Sequence, residues 1–178
     1  MMGNGSEQVL FLGNSITLHG FASYWWGEWG MAASCLERDY VHRVIALMQD
    51  EGFMVHENVF NFFAWETMWH DRGQALQLLQ NYVHLDLTLV VVQLAENISE
   101  LGSMEQDYCD LIDYIRRTAP QARIIMLGSF WPKIDVELAK RRACEIKGIP
   151  LIDLQDMWSC KSYQSGMGTV VTGVDGKK

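Results

Sequence analysis

Val9-Leu10-Phe11-Leu12-Gly13-Asn14-Ser15-Ile16-Thr17 decides how this chain is read. The short apolar run has the character of a buried strand. Gly13 stops it, and a small polar turn then presents the Ser15 hydroxyl. Open α/β sheets bind their ligands beyond the carboxyl ends of the strands, so a serine at this place is the best nucleophile candidate in the sequence. A helical turn opening there would add free N–H groups that favour negative charge. The competing reading is that Asn14 and Ser15 only cap a helix, and the stretch taken alone leaves both open.

Outward from this stretch, strand and helix patterns alternate. Leu18 to Leu36 has no helical period and carries Tyr24, Trp25, Trp26, Trp29 and three glycines. So many aromatics beside a nucleophile candidate suggest a substrate-facing wall of Trp25, Trp26 and Trp29; a small satellite core is the equal alternative. Tyr40, Val41, Val44, Ile45, Leu47 and Met48 share one helical face ended by Gly52. Met54 to Phe60 reads as a second strand, Asp71 to Val83 as a helix, and Leu87 to Leu94, with its Val90-Val91-Val92 run, as a strand covered on both faces. Ser103 and Gln106 have capping-box spacing before a helix through Met104, Tyr108, Leu111, Ile112 and Ile115, which Pro120 stops. Arg123 to Gly128 supplies a fourth strand. Leu138, Ala139, Arg142, Ala143 and Ile146 outline a further helix ended by Gly148, and Ile149 to Leu154 a fifth strand. The alternation implies a parallel, three-layer α/β/α sandwich.

Composition bounds the function. A chain of 178 residues is expected to be a single domain with a real core. A formal charge of −8 argues against nucleic acid, because phosphate binding needs clustered Lys and Arg. A neutral or small substrate fits better. No apolar run reaches the roughly 18 residues of a membrane span, and Met1 to Glu7 lacks the basic and apolar regions of a signal peptide, which makes the cytoplasm the default expectation. Cys35, Cys109, Cys144 and Cys160 show no paired metal-ligand spacing and read as free thiols. The five histidines form no H-E-x-x-H pair, so no metal site is expected.

Gly13-Asn14-Ser15 resembles the first block of the SGNH (GDSL-type) hydrolases, with Asn14 where most members have aspartate. Asn61 to Thr67 stands at the second block, whose glycine donates a backbone N–H to an oxyanion; Ala64 or Trp65 would occupy its place. Gln93 to Asn97 is similar to the third block, Gly-x-Asn-Asp, with Asn97 at the asparagine. The resemblance implies a sheet of order 2-1-3-4-5 and a serine esterase in which Ser15 attacks an ester carbonyl, with no metal or organic cofactor. The Ser15 N–H, the Ala64 or Trp65 N–H and the Asn97 amide would hold the oxyanion. Family members close with Asp-x-x-His. Asp175 fits that aspartate, but Lys178 stands where the histidine is expected, so the expectation is a chain stopping short of its catalytic end and last helix. His19 and His70 are weaker candidates for the base.

The resemblance and the tryptophans together suggest short acyl, especially O-acetyl, esters on carbohydrates as substrate. The alternatives are a non-catalytic flavodoxin-like ligand-binding module and a degenerate SGNH member without a base. A phosphate cradle would mark the former, yet the first turn holds only Gly13.

Overall fold

Alternate residues of a strand point to opposite faces of its sheet, and the run Val9 to Leu12 uses both. Leu10 and Leu12 join Val90, Val92, Ile124 and Met126 in one buried cluster, whereas Val9 and Phe11 join Val55, Leu89 and Val91 in another. Each fully buried side chain of this kind contributes about 1.5–3 kcal/mol. A strand buried on both faces belongs in the middle of a parallel sheet. The computed structural model describes residues 5–31, 33–131, 133–163, 168, 170, 172–173 and 176. In it β1 (Ser6–Gly13) lies between β2 (Met54–Asn61) and β3 (Leu89–Gln93), with β4 (Arg123–Leu127) and β5 (Leu151–Ile152) beyond β3. All neighbouring pairs are parallel and the order is 2-1-3-4-5, as the resemblance implied.

Helices cover the two faces unequally. α1 (Tyr40–Asp50) sets Val41 and Ile45 on the Val9 and Phe11 face, and Asp39 caps it by accepting from the His42 N–H at 2.8 Å. The opposite face receives Trp65 of α2 (Phe63–Thr67), Ala75 of α3 (Arg72–Ala75), and buried residues of α4 (Met104–Thr118) and α5 (Ile134–Lys147). The result is a three-layer α/β/α sandwich of flavodoxin-like strand order. Among the described residues no helix is long and apolar enough to cross a membrane.

Several local expectations are corrected. The helix expected over Asp71 to Val83 is divided into α3 and a 3-10 segment, Leu76–Asn81. The tighter segment repeats every three residues, which buries both Leu76 and Leu79. The short helix α2 forms where only a turn was foreseen. Ser103 does not cap α4 with its side chain; its hydroxyl donates instead to Asp107 Oδ1 at 3.0 Å. The largest correction concerns α5. Leu138 and Ile146 are 47% and 62% exposed, and the buried positions are Val136, Glu137, Lys140, Ala143 and Cys144. Glu137 and Lys140 occupy core positions because Lys140 Nζ lies 3.8 Å from Glu137 Oε2 and donates to the Leu127 carbonyl at 2.8 Å.

Candidate functional site

The site is assembled where β1, β2, β3 and β4 end. β1 must finish in glycine: a Cβ at Gly13 would lie 1.8 Å from Thr17 Oγ1 and 2.8 Å from the Gln93 carbonyl of β3. The chain then folds into a single turn around Asn14. Its carbonyl accepts from the Thr17 and Leu18 N–H groups, each at 3.0 Å, and its Oδ1 accepts from Ile16 N–H, also at 3.0 Å. Asn14 therefore does the capping and is fully buried, while Ser15 is partly exposed. Among the described residues the Ser15 hydroxyl has no hydrogen-bond partner, and its carbonyl accepts from Met31 N–H at 2.8 Å.

Beneath this turn lie two carboxylates. Glu66 comes from α2, and Glu96 from the loop after β3. The Asn14 amide donates to both, to Glu66 Oε1 at 3.1 Å and Glu96 Oε2 at 2.7 Å. Glu66 also accepts from Ala95 N–H at 2.6 Å and, on its other oxygen, from Asn97 Nδ2 at 2.6 Å. Glu96 accepts from Gln93 Nε2 at 2.8 Å and from Phe130 N–H, beyond β4, at 2.7 Å. Burial is the main cause that pushes the Glu66 carboxyl above its ordinary value; neighbouring Glu96 adds to this, and the bonds from Asn97, Asn14 and Ala95 oppose it. The first and third matched blocks thus meet on one side chain, that of Glu66.

This explains Asn14. An aspartate at this position, the usual residue of the resembling family, would set a third carboxylate against Glu66 and Glu96 and could supply neither of them with a donor. An amide donates both hydrogens and keeps an oxygen for Ile16 N–H. Neither carboxylate was singled out from sequence. The signal available was a lone acid directly after an apolar residue at each block, Trp65-Glu66 and Ala95-Glu96.

The other anticipated residues fall as follows. Trp65 N–H already donates to the Phe62 carbonyl at 3.0 Å, and its ring is wholly buried against Tyr108. Ala64 N–H has no acceptor among the described residues, so of the two backbone donors Ala64 is the one available. The aromatic loop is tied to the turn that carries Ser15: His19 N–H donates to the Trp29 carbonyl, Gly30 N–H donates to Asp39 Oδ2, and a Cβ at Gly30 would strike the Ile16 carbonyl at 2.1 Å. Trp25 is buried, with Trp26 and Trp29 packed on it and both partly exposed. His19 is held between the Gly20 carbonyl and the Tyr24 hydroxyl, and exposed His70 stacks on Trp69. Neither has a hydrogen bond to Ser15. Asp175 and Lys178 lie outside the described residues.

Among the described residues no three His, Cys, Asp or Glu side chains gather as a metal site. Chemically, the arrangement offers an unengaged hydroxyl, two free or partly free N–H donors and an amide held by a buried carboxylate, all at one end of the sheet. No family model matches the chain, and the search of curated proteins found no match.

Proposed function

We propose that this protein is a serine ester hydrolase of the SGNH type acting on short acyl esters, with O-acylated carbohydrates as the first substrate class. The observation that carries the reading is the joining of Asn14 and Asn97 through Glu66, which sets residues of the first and third matched blocks side by side at the carboxyl ends of adjacent strands. In this reading Ser15 Oγ attacks the ester carbonyl. The Ser15 N–H, the Ala64 N–H and the second hydrogen of Asn97 Nδ2 stabilise the tetrahedral oxyanion. The alcohol leaves, and water then hydrolyses the acyl-serine. A general base takes the proton of Ser15 and passes it to the leaving alcohol; the resemblance gives this role to a histidine oriented by Asp175, but Lys178 stands in its place, so His19 and His70 are this chain's own candidates. The partly exposed Trp26 and Trp29 give the sugar a flat apolar face to stack on.

The test is hydrolysis of p-nitrophenyl acetate and labelling by a fluorophosphonate, measured on the wild-type protein and on Ser15→Ala. We expect Ser15-dependent labelling and turnover in the wild type. For Ser15→Ala we expect only the roughly 10³–10⁴-fold acceleration over water that survives loss of one triad member. Turnover that persists undiminished in Ser15→Ala overturns the reading.

A further inference from the structure

We propose that Glu66 is a positioning residue, whose ionised carboxylate holds the Asn97 amide as a donor and locks it to the turn that carries Ser15. An ionised carboxylate only accepts hydrogen bonds. Whatever faces Glu66 must therefore be an N–H or O–H, and this decides which end of the Asn97 side chain points at it. Nδ2 lies 2.6 Å from Glu66 Oε2, so one hydrogen of that NH₂ is bound and the other, on the same nitrogen, has no acceptor among the described residues and can meet a ligand.

Glu66 is itself held. Its Oε1 accepts from Ala95 N–H, two residues before Asn97 along the chain, and from Asn14. Asn14 has no freedom left: both amide hydrogens go to Glu66 and Glu96, and its oxygen takes Ile16 N–H, just after Ser15. Burial of the carboxylate at 1% exposure shields its bonds from Asn14 and Ala95 from competing water. Protonating Glu66, or exchanging it for glutamine, places a donor opposite Asn97. The asparagine then gains by turning its oxygen inward, and the nitrogen is lost from its place.

The inference deepens the ester-hydrolase reading and rests on it for the catalytic consequence alone; the orientation of Asn97 is a matter of geometry. The variant is Glu66→Gln, read in two ways. By ¹⁵N NMR, the Asn97 side-chain NH₂, assigned from its loss in Asn97→Ala, should be protected from exchange in the wild type and lose that protection in Glu66→Gln. In turnover of p-nitrophenyl acetate, Glu66→Gln and Asn97→Ala should each lower kcat about 10²–10³-fold, as removal of one oxyanion donor does, with KM nearly unchanged. The double variant should be no worse than either. An Asn97 signal indifferent to Glu66→Gln, or losses that multiply in the double variant, overturns the assignment.

Should Glu66→Gln fail to fold, acid titration of the wild-type Asn97 NH₂ gives the same decision. We expect a transition with its midpoint above the ordinary 4.5 of a glutamate, and a flat trace overturns the proposal. The charged and titratable groups around Glu66 are Glu96 after β3, Tyr108 of α4, Lys140 of α5 and Arg72 of α3 over the Trp65 ring. Repeating the titration in Glu96→Gln separates the two carboxylates. A wild type without Ser15-dependent turnover removes the hydrolase reading, and the NMR result then decides the role of Glu66 by itself.

Discussion

Glu66 and Glu137 are equally buried, each 1% exposed, at the same end of the same sheet, yet they are compensated in opposite ways. Glu66 is met by uncharged donors only, the Ala95 N–H and the amides of Asn14 and Asn97. Glu137 has a buried cation, Lys140, 3.8 Å away, takes Ser129 N–H and hydroxyl on one oxygen, and leaves the other, Oε1, without a partner among the described residues. A charge pair needs little exactness of direction, because the Coulomb attraction falls off slowly with distance. Three separate dipoles have to be aimed. The first carboxylate therefore fixes the orientation of the groups around it, whereas the second fastens α5 to the loop after β4.

The largest effect expected from this contrast is on Lys140. Lys140→Met leaves Glu137 as an uncompensated buried charge and should lower stability by about 3–5 kcal/mol, measured by denaturant titration. Lys140→Met combined with Glu137→Leu should recover most of the loss. A single variant within 1 kcal/mol of wild type by the same titration would make the pair dispensable and dissolve the contrast.

Next in size is Asn14→Asp, a change of one atom group. It deletes two charge-assisted bonds of about 1.5–3 kcal/mol each in mutational terms and adds like-charge repulsion with Glu66 and Glu96. The added carboxyl is more easily protonated in the folded than in the unfolded state, so the deficit should shrink as pH falls and grow as it rises. Thermal melts of the two proteins from pH 4 to 8 check this; a deficit independent of pH counts against the carboxylate cluster.

A smaller effect belongs to Glu66 itself. Its folded carboxyl is raised above the ordinary 4.5, so between 4.5 and the raised value the folded state binds more protons than the unfolded one. Stability supplied by this group is then greatest at low pH and falls as pH rises to the folded value, remaining level above it. Melts of wild type minus Glu66→Gln should show that slope. The opposite slope would mean that the neutral donors outweigh burial.

Least in magnitude is a thiol measurement. Cys144 is 3% exposed and lies near Lys140, and burial is the main cause that pushes its thiol up to about 11. Disulfide-exchange reagents at pH 8 should modify the partly exposed Cys160 first. Lys140→Met should quicken the reaction of Cys144, and Glu66→Gln should leave it unchanged. Equal rates in both variants would show that the two carboxylate regions open together.

The contrast also marks what hydropathy can reveal. The parallel, doubly covered sheet was legible because Val9 to Leu12 and Leu89 to Val92 are apolar on both faces, whereas the strand order came from the resemblance alone. The place of Ser15, two residues beyond the glycine that ends β1, was legible from the apolar run that Gly13 stops. The buried stripe of α5 was misread, since Glu137 and Lys140 look like solvent residues until their mutual neutralisation is seen in three dimensions. Glu66 was missed for a related reason: its three donors come from residues 29, 31 and 52 positions away in the chain, and no local pattern records them.

Such separations bear on how the chain folds as it is made. Asn14 and Glu96 are 82 positions apart, and β1 pairs on one side with β2, complete by Asn61, but on the other with β3, which begins only at Leu89. A growing chain folds its early segments first, so β1, α1 and β2 emerge while the β3 side of β1 still has unpaired backbone along Val9 to Leu12. An open apolar edge of this kind recruits other strands. The interior strand β1 is thus the segment most in need of shielding during synthesis, until residues 89–93 arrive to close it.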